Sequence, residues 1–256
     1  MTDQRLQDKV AIITGAGRGI GRAIALAYAE AGADIVAAAR SADEIAETVQ
    51  AVEAAGRRGL ALTVDITVPA EVERMVAQTV QTFDRIDILV NCAGQRAVAS
   101  STELSFDDWQ RVLNVNLTGS FLCAQAAGRH MIEAGRGKII NIGSMQAHSG
   151  AGERAAYIAS KTGLVGLTRA LGVEWAVHGV NVNLLSPGYF HTEAIERQIQ
   201  IGQLDLAAIE RRTPANRIGQ MEDLLGPAIF LASDESNFMC GPSLIVDGGW
   251  LAYGHL

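Results

Sequence analysis

An α/β fold built on a doubly wound parallel sheet is what this sequence predicts, and three observations carry the prediction. Short apolar runs alternate with longer alanine- and leucine-rich helical patterns along the chain. A glycine-rich turn, Gly15-Ala-Gly-Arg-Gly19-Ile-Gly21, joins the first run directly to the first helical pattern. The run Lys138-Ile-Ile-Asn-Ile142 suits an interior parallel strand and ends at Gly143 and Ser144, where open α/β sheets place their binding residues.

Taken in order, Val10–Thr14 is strand one, and the glycine turn leads into a helix through Arg22–Glu30. Glycines permit the tight turn and let a phosphate approach the backbone, while the helix N-terminus offers free N–H groups to an anion. A tight turn with no ligand is the lesser reading. Asp34–Ala39 is strand two, closed by Arg40, and Ser41-x-x-Glu44 reads as a capping box for a helix to about Ala55. Leu60–Val64 is strand three, ending at Asp65, and Pro69 sits where a helix begins. Ile86–Val90 is strand four, followed by Asn91-Cys-Ala-Gly94.

Ser105-Phe-Asp-Asp108 is a second capping box, heading a long helix to about Ala134. Asn114 and Asn116 are anomalous inside it, because asparagine is a mediocre helix former. Strand five and a helix from Ala155 follow, then Val180–Leu185 as strand six and the segment Ser186-Pro187-Gly188-Tyr-Phe-His-Thr192. Residues 192–213 are polar and helical with a break at Gly202, the best candidate for a mobile lid; Met221–Ala232 is a further helix and Ser243–Asp247 the last strand. One domain over 1–256 accounts for the chain, with a turn-bearing half at about 8–150, a second half at about 138–256 and the lid at about 189–214.

Composition narrows the function. Hydrophobic content of 48% with 19% charged residues is globular, and a net charge of −7 argues against a nucleic-acid or anionic-membrane surface. Cys92, Cys123 and Cys240 are odd in number and far apart, so each reads as a small buried residue, and no cluster suggests a metal. The N-terminus reads as a first strand, no apolar stretch approaches the length of a membrane span, and a cytoplasmic protein is expected.

Tyr157 and Lys161 stand four residues apart, so on a helix their side chains share a face. A phenol is a poor base at neutral pH, and a nearby ammonium favours its ionised form. The Ser144 hydroxyl is then placed to hold a carbonyl or alcohol oxygen beside the tyrosine. Alone, this Tyr–Lys spacing more often marks a half-buried tyrosine beside a solvated lysine; the position of Ser144 makes it less accidental.

With these residues together, the chain resembles the short-chain dehydrogenase/reductase family in its single-domain form over nearly its whole length. Thr14-Gly15-x3-Gly19-Ile-Gly21 matches the family's cofactor turn, Asn91-Cys-Ala-Gly94 its N-N-A-G with Cys92 as a departure, and Pro187-Gly188 with Thr192 its P-G-x-x-x-T. Ser144, Tyr157, Lys161 and Asn116 match the catalytic positions. The resemblance implies a Rossmann-type, three-layer α/β/α fold and a hydride transfer between nicotinamide and a secondary alcohol or ketone. It implies that Tyr157 exchanges the substrate proton, Lys161 holds the ribose hydroxyls and lowers the tyrosine pKa, Ser144 positions the substrate oxygen, and Asn116 breaks its helix and holds a water that connects Lys161 to solvent. It assigns cofactor contacts to Gly15, Arg18, Gly19, Ile20, Arg40, Asp65, Ile66, Asn91, Ala93, Gly94, Tyr157, Lys161, Pro187, Gly188, Phe190 and Thr192. Phe190 departs from the smaller aliphatic residue usual there.

Ala39 stands where NAD-preferring relatives carry an acid, and Arg40 and Arg18 lie near it, so NADP(H) is expected ahead of NAD(H). Gln95, Arg96, Gln146, His148 and Tyr189 flank the catalytic groups. That hydrogen-bonding set, and stretches similar to family members acting on gluconate and polyols, favour a sugar, polyol or sugar acid as the small-molecule substrate. A 3-oxoacyl-carrier-protein reductase is the alternative, and a non-catalytic dinucleotide-binding protein the alternative of another class. His130, His178 and His255 read as solvated; Trp109, Trp175 and Trp250 read as core or subunit-contact residues. A homotetramer is expected from the apolar excess of the helices at 105–134 and 155–178 and from the apolar terminus Trp250–Leu256.

Overall fold

The structure, a computed structural model, describes residues 4–254. Seven parallel strands form one sheet: β1 (Val10–Thr14), β2 (Asp34–Ala39), β3 (Gly59–Thr63), β4 (Ile88–Asn91), β5 (Gly137–Ile142), β6 (Val180–Pro187) and β7 (Ser243–Val246), in the order β3-β2-β1-β4-β5-β6-β7. The chain steps outward from β1 to β3, then returns to the other side of β1 at β4. The carboxyl ends of β1 and β4 therefore diverge into a crevice, the ligand position in such sheets. β1, β4, β5 and β6 are buried along their whole length, as their unbroken apolar runs require.

Helices cover both faces, in the three-layer arrangement expected. One core packs α1 (Gly19–Glu30), α2 (Ala42–Ala54) and α9 (Met221–Ala232) onto the sheet through Ile24, Tyr28, Ile45 and Leu224. The other packs α3 (Pro69–Phe83), α5 (Ser120–Glu133) and α6 (Ala155–Trp175) through Val72, Met75, Met131 and Trp175. Between these come α4 (Phe106–Leu113), α7 (Glu193–Gln200) and α8 (Leu206–Arg212). No helix among the described residues is long and apolar enough to cross a membrane.

The departures from expectation have local causes. Ser105 does cap α4, accepting from the Asp108 N–H at 3.1 Å, but the helix it opens is not continuous. Asn114–Gly119 forms a π-helical turn between α4 and α5, at the two asparagines that were anomalous in an α-helix. β4 begins at Ile88, later than expected, because the Asp87 carboxylate accepts from the Val10 N–H at 2.9 Å and pairs with Arg85. β3 runs one residue earlier than expected, in register with β2. The Ser41 capping box is not formed, since the Ser41 side chain makes no cap. The stretch 192–213 splits into α7 and α8, with Gly202 at φ +72° between them. Cys123 is buried, whereas Cys92 and Cys240 are only half-buried. His130 and His178 are exposed; His255 and the end of the apolar terminus lie outside the described residues.

Candidate active site

At the carboxyl end of β1 the backbone must turn sharply while leaving room for a ligand. Gly15 has φ +70°, and a Cβ there would stand 2.9 Å from the Ala93 backbone. The Thr14 hydroxyl accepts from the Cys92 and Ala93 N–H groups at 3.1 and 3.2 Å, which ties the turn to the loop after β4. Gly19, at φ +55°, opens α1 with free space where its Cβ would be. No side chain caps this helix, so its first N–H groups face the crevice.

The crevice is a cleft of about 850 Å³ running from Ala39, Arg40 and Asp65 to Tyr157 and Tyr189. It is lined by Gly15, Arg18, Gly19 and Ile20, by Ile66, Ala93 and Gly94, and by Pro187, Gly188 and Thr192. At its inner end are Ser144, Tyr157 and Lys161, with Gln95, Arg96 and Gln146 beside them. Asn91, Asn116, Phe190 and His148 stand outside the lining. Asn91 is buried beneath it, donating to the Ser120 carbonyl and Asn141. The Phe190 ring turns into the core, 4% exposed, and its backbone forms a parallel bridge with Gly219. His148 is exposed and its Nε2 lies 2.9 Å from the Ser243 hydroxyl, so its imidazole is turned toward β7 and not into the cleft.

Asn116 is fully buried in the π-turn. Its Oδ1 accepts from the Gln95 N–H at 2.7 Å, and its Nδ2 donates to the Gln95 carbonyl and the Ser160 hydroxyl at 2.9 Å each. The side chain thus fixes Gln95 and α6.

Burial raises the Tyr157 phenol above its ordinary value; a hydrogen bond from Ser144 and the charges of Arg96 and Arg154 pull it back. Those arginines act on the phenol from the cleft wall, and Lys161 stands over its ring. Burial brings the Lys161 ammonium down to about 8; it donates to the Ile142 carbonyl at 2.6 Å and lies 5.9 Å from the Tyr157 ring centre. Burial also lowers Arg96, helped by the neighbouring charge of Arg154. Neither guanidinium has an ion-pair or hydrogen-bond partner among the described residues. Arg154 also lines the cleft, as do Arg111 and Gln198, and none of these three stood out in the sequence because they belong to no motif; Glu44, read there as a capping residue, lines it too.

These features fit a dinucleotide: a glycine turn at a helix N-terminus, open space at Gly19, and guanidinium groups at the far end. A family model described as enoyl-(acyl carrier protein) reductase matches residues 15–251. The chain belongs to the short-chain dehydrogenase/reductase family. Like the family, it is an NAD(P)-dependent oxidoreductase acting on CH–OH groups. It is 43% identical over 252 residues to the 2-dehydro-3-deoxy-D-gluconate 5-dehydrogenase of Escherichia coli (strain K12), covering 96% of this chain and 97% of that one. It is 40% identical to the D-threitol dehydrogenase of Mycolicibacterium smegmatis, covering 97% and 95%. Among solved structures it superposes on a gluconate 5-dehydrogenase from Burkholderia cenocepacia, in complex with NADP and tartrate, with a TM-score of 0.92 at 38% identity, covering 98% of each chain.

Proposed function

We propose that this dehydrogenase interconverts a secondary hydroxyl and a ketone on a sugar acid, with NADP(H) as its preferred cofactor. One observation carries the choice of an anionic substrate over a neutral polyol: two guanidinium groups without partners, Arg96 and Arg154, act on Tyr157 from the cleft wall. A guanidinium presents a planar fork that matches a carboxylate. The sugar-acid relative and the tartrate complex support this reading, and the threitol relative is the competing one.

In this reading Tyr157 gives a proton to the ketone oxygen in reduction and takes it from the alcohol in oxidation. Ser144 holds that oxygen, and its hydrogen bond to Tyr157 stabilises the phenolate when it forms. Lys161 holds the ribose hydroxyls. Asn116 acts through Gln95 as a positioning residue. The nicotinamide, when bound, supplies or accepts the hydride. At the other end, Ala39 offers no acid to repel a 2′-phosphate, and Arg18, Arg40 and Ser41 line the space it would enter.

The test is a panel of sugar acids, neutral polyols and 3-oxoacyl thioesters, run with NADP(H) and NAD(H). Turnover of sugar acids is expected, with KM for the keto acid rising about tenfold or more in Arg154→Ala, while kcat/KM for reducing any neutral ketone accepted, measured near pH 7 where reduction is insensitive to the Tyr157 pKa, stays within about twofold. Turnover confined to thioesters or polyols overturns the substrate assignment. Tyr157→Phe should lower kcat on the order of 10²–10⁴-fold with cofactor binding intact.

A further inference from the structure

Three buried side-chain polar atoms among the described residues have no hydrogen-bond partner: Asn91 Oδ1, Asn183 Oδ1 and Gln198 Nε2. They are not alike. The Asn91 amide nitrogen bonds Ser120 and Asn141, and that of Asn183 bonds the Met239 carbonyl, so each asparagine has half its amide satisfied. The Gln198 side chain has no partner at either end. It is only 6% exposed, and it lines the cleft.

Its place on α7 sharpens the contrast. Ala194, Ile195, Gln198 and Ile201 all line the cleft and fall at the spacing of one helix face. Glu193 and Arg197 of the same helix also line the cleft, but both are exposed, and Gln198 alone among these residues is buried. Leucine or methionine would fill the position with no polar group to desolvate, so a glutamine here weakens the protein on its own. A buried donor of this kind calls for a partner that the chain itself does not supply.

We propose that Gln198 is a ligand-binding residue whose amide donates to an oxygen acceptor of the molecule held in the cleft. Two sources share that chemistry: a phosphate oxygen of NADP(H), or a hydroxyl or carboxylate oxygen of the substrate. The inference rests on reading the cleft as the site of both. It makes α7 more than a cover, since the helix is complete only when the cleft is filled.

The experiment compares the parent with Gln198→Met, which keeps the volume and removes the amide. Thermal unfolding is measured without ligand, NADPH binding is titrated by protein fluorescence, and KM is measured for a panel substrate that the parent turns over. The expected result is a Tm a few degrees higher without ligand, together with a binding loss of about tenfold in one arm. A loss in NADPH binding assigns the phosphate; a loss in KM with NADPH binding unchanged assigns the substrate. Gln198→Glu, which puts an acceptor in place of the donor, should weaken the same arm further. A Tm that is unchanged or lower, or binding within twofold of the parent in both arms, overturns the inference. Failure of the parent to act on sugar acids would sink the substrate assignment above and leave these comparisons standing.

Discussion

Tyr157 must hold and release a proton where burial opposes its charge, and this sets the pH dependence of the two directions. With the phenol raised, the protonated form dominates at neutral pH and is ready to donate. Reduction should therefore be nearly flat between about pH 6 and 8, while oxidation, which needs the phenolate, should climb about tenfold per unit over the same range. Removing Arg96 or Arg154 takes away a charge that lowers this pKa, so the oxidation profile should move to higher pH in either alanine variant. A profile that stays in place would mean that the arginines do not act on the tyrosine. Lys161 titrates in the opposite sense. Burial has brought it to about 8, so it is charged below that pH and neutral above it, and cofactor affinity should fall as pH rises past 8. Lys161→Met should abolish that fall, and titration of NADPH against pH checks it. At the adenosine end, Glu44 gives up the capping box read from the sequence and lies against Gly17, its carboxylate 3.6 Å from Arg18. The pattern was legible but its use was not, because capping and cleft compete for the same side chain. Glu44 occupies a guanidinium that a 2′-phosphate would use. Glu44→Gln should tighten binding of 2′,5′-ADP about two- to fivefold, the worth of an exposed ion pair, and leave 5′-AMP nearly unchanged.

Elements were legible where one force decided them. The apolar runs of β1, β2 and β5, the α9 limits Met221–Ala232 and the proline start of α3 all follow from pattern alone. Elements shaped by a distant side chain were not: Asp87 delays β4, and the π-turn needs Gln95 and Ser160 to receive Asn116. Phe190 belongs to this second kind. Its ring sits where a Cβ on Gly219 would come within 2.5 Å of it, and the Gly219 N–H donates to the Tyr189 carbonyl at 2.8 Å. The larger residue at 190 is thus accommodated by the absence of a side chain at 219. Gly219→Ala should cost about 1–3 kcal/mol through overpacking and, by shifting Tyr189 and Thr192, raise KM for cofactor and substrate. Phe190→Val in the same chain should recover part of both, and denaturant unfolding with steady-state kinetics measures them. Equal losses in the single and double variants would show that the two positions are not coupled.

For the whole molecule, the site residues come together because the strand order reverses between β1 and β4. Alternating strands and helices allow that topology to be read, and the reversal then brings Gly15, Asn91, Ser144 and Pro187 to one edge. Which side chains fill the space between them is a tertiary matter, and Arg154 and Gln198 came only with the folded chain. The outer surface raises a last question. Phe106 on α4 is 72% exposed and Val173 on α6 is 77% exposed, while Val177 just beyond α6 is 83% exposed. Fully burying a side chain of this size contributes about 1.5–3 kcal/mol, so leaving three in water forgoes a substantial gain. They lie on or beside the helices whose apolar excess led to the expectation of a homotetramer. If these helices pair between subunits, light scattering at micromolar concentration should give about four times the 27.1 kDa chain mass. Val173→Asp, which buries a charge in such a contact and alters nothing in the cleft, should lower that mass toward the dimer or monomer. A parent protein with the mass of a single chain would reject the assembly, and a Val173→Asp protein with the parent mass would remove α6 from the interface.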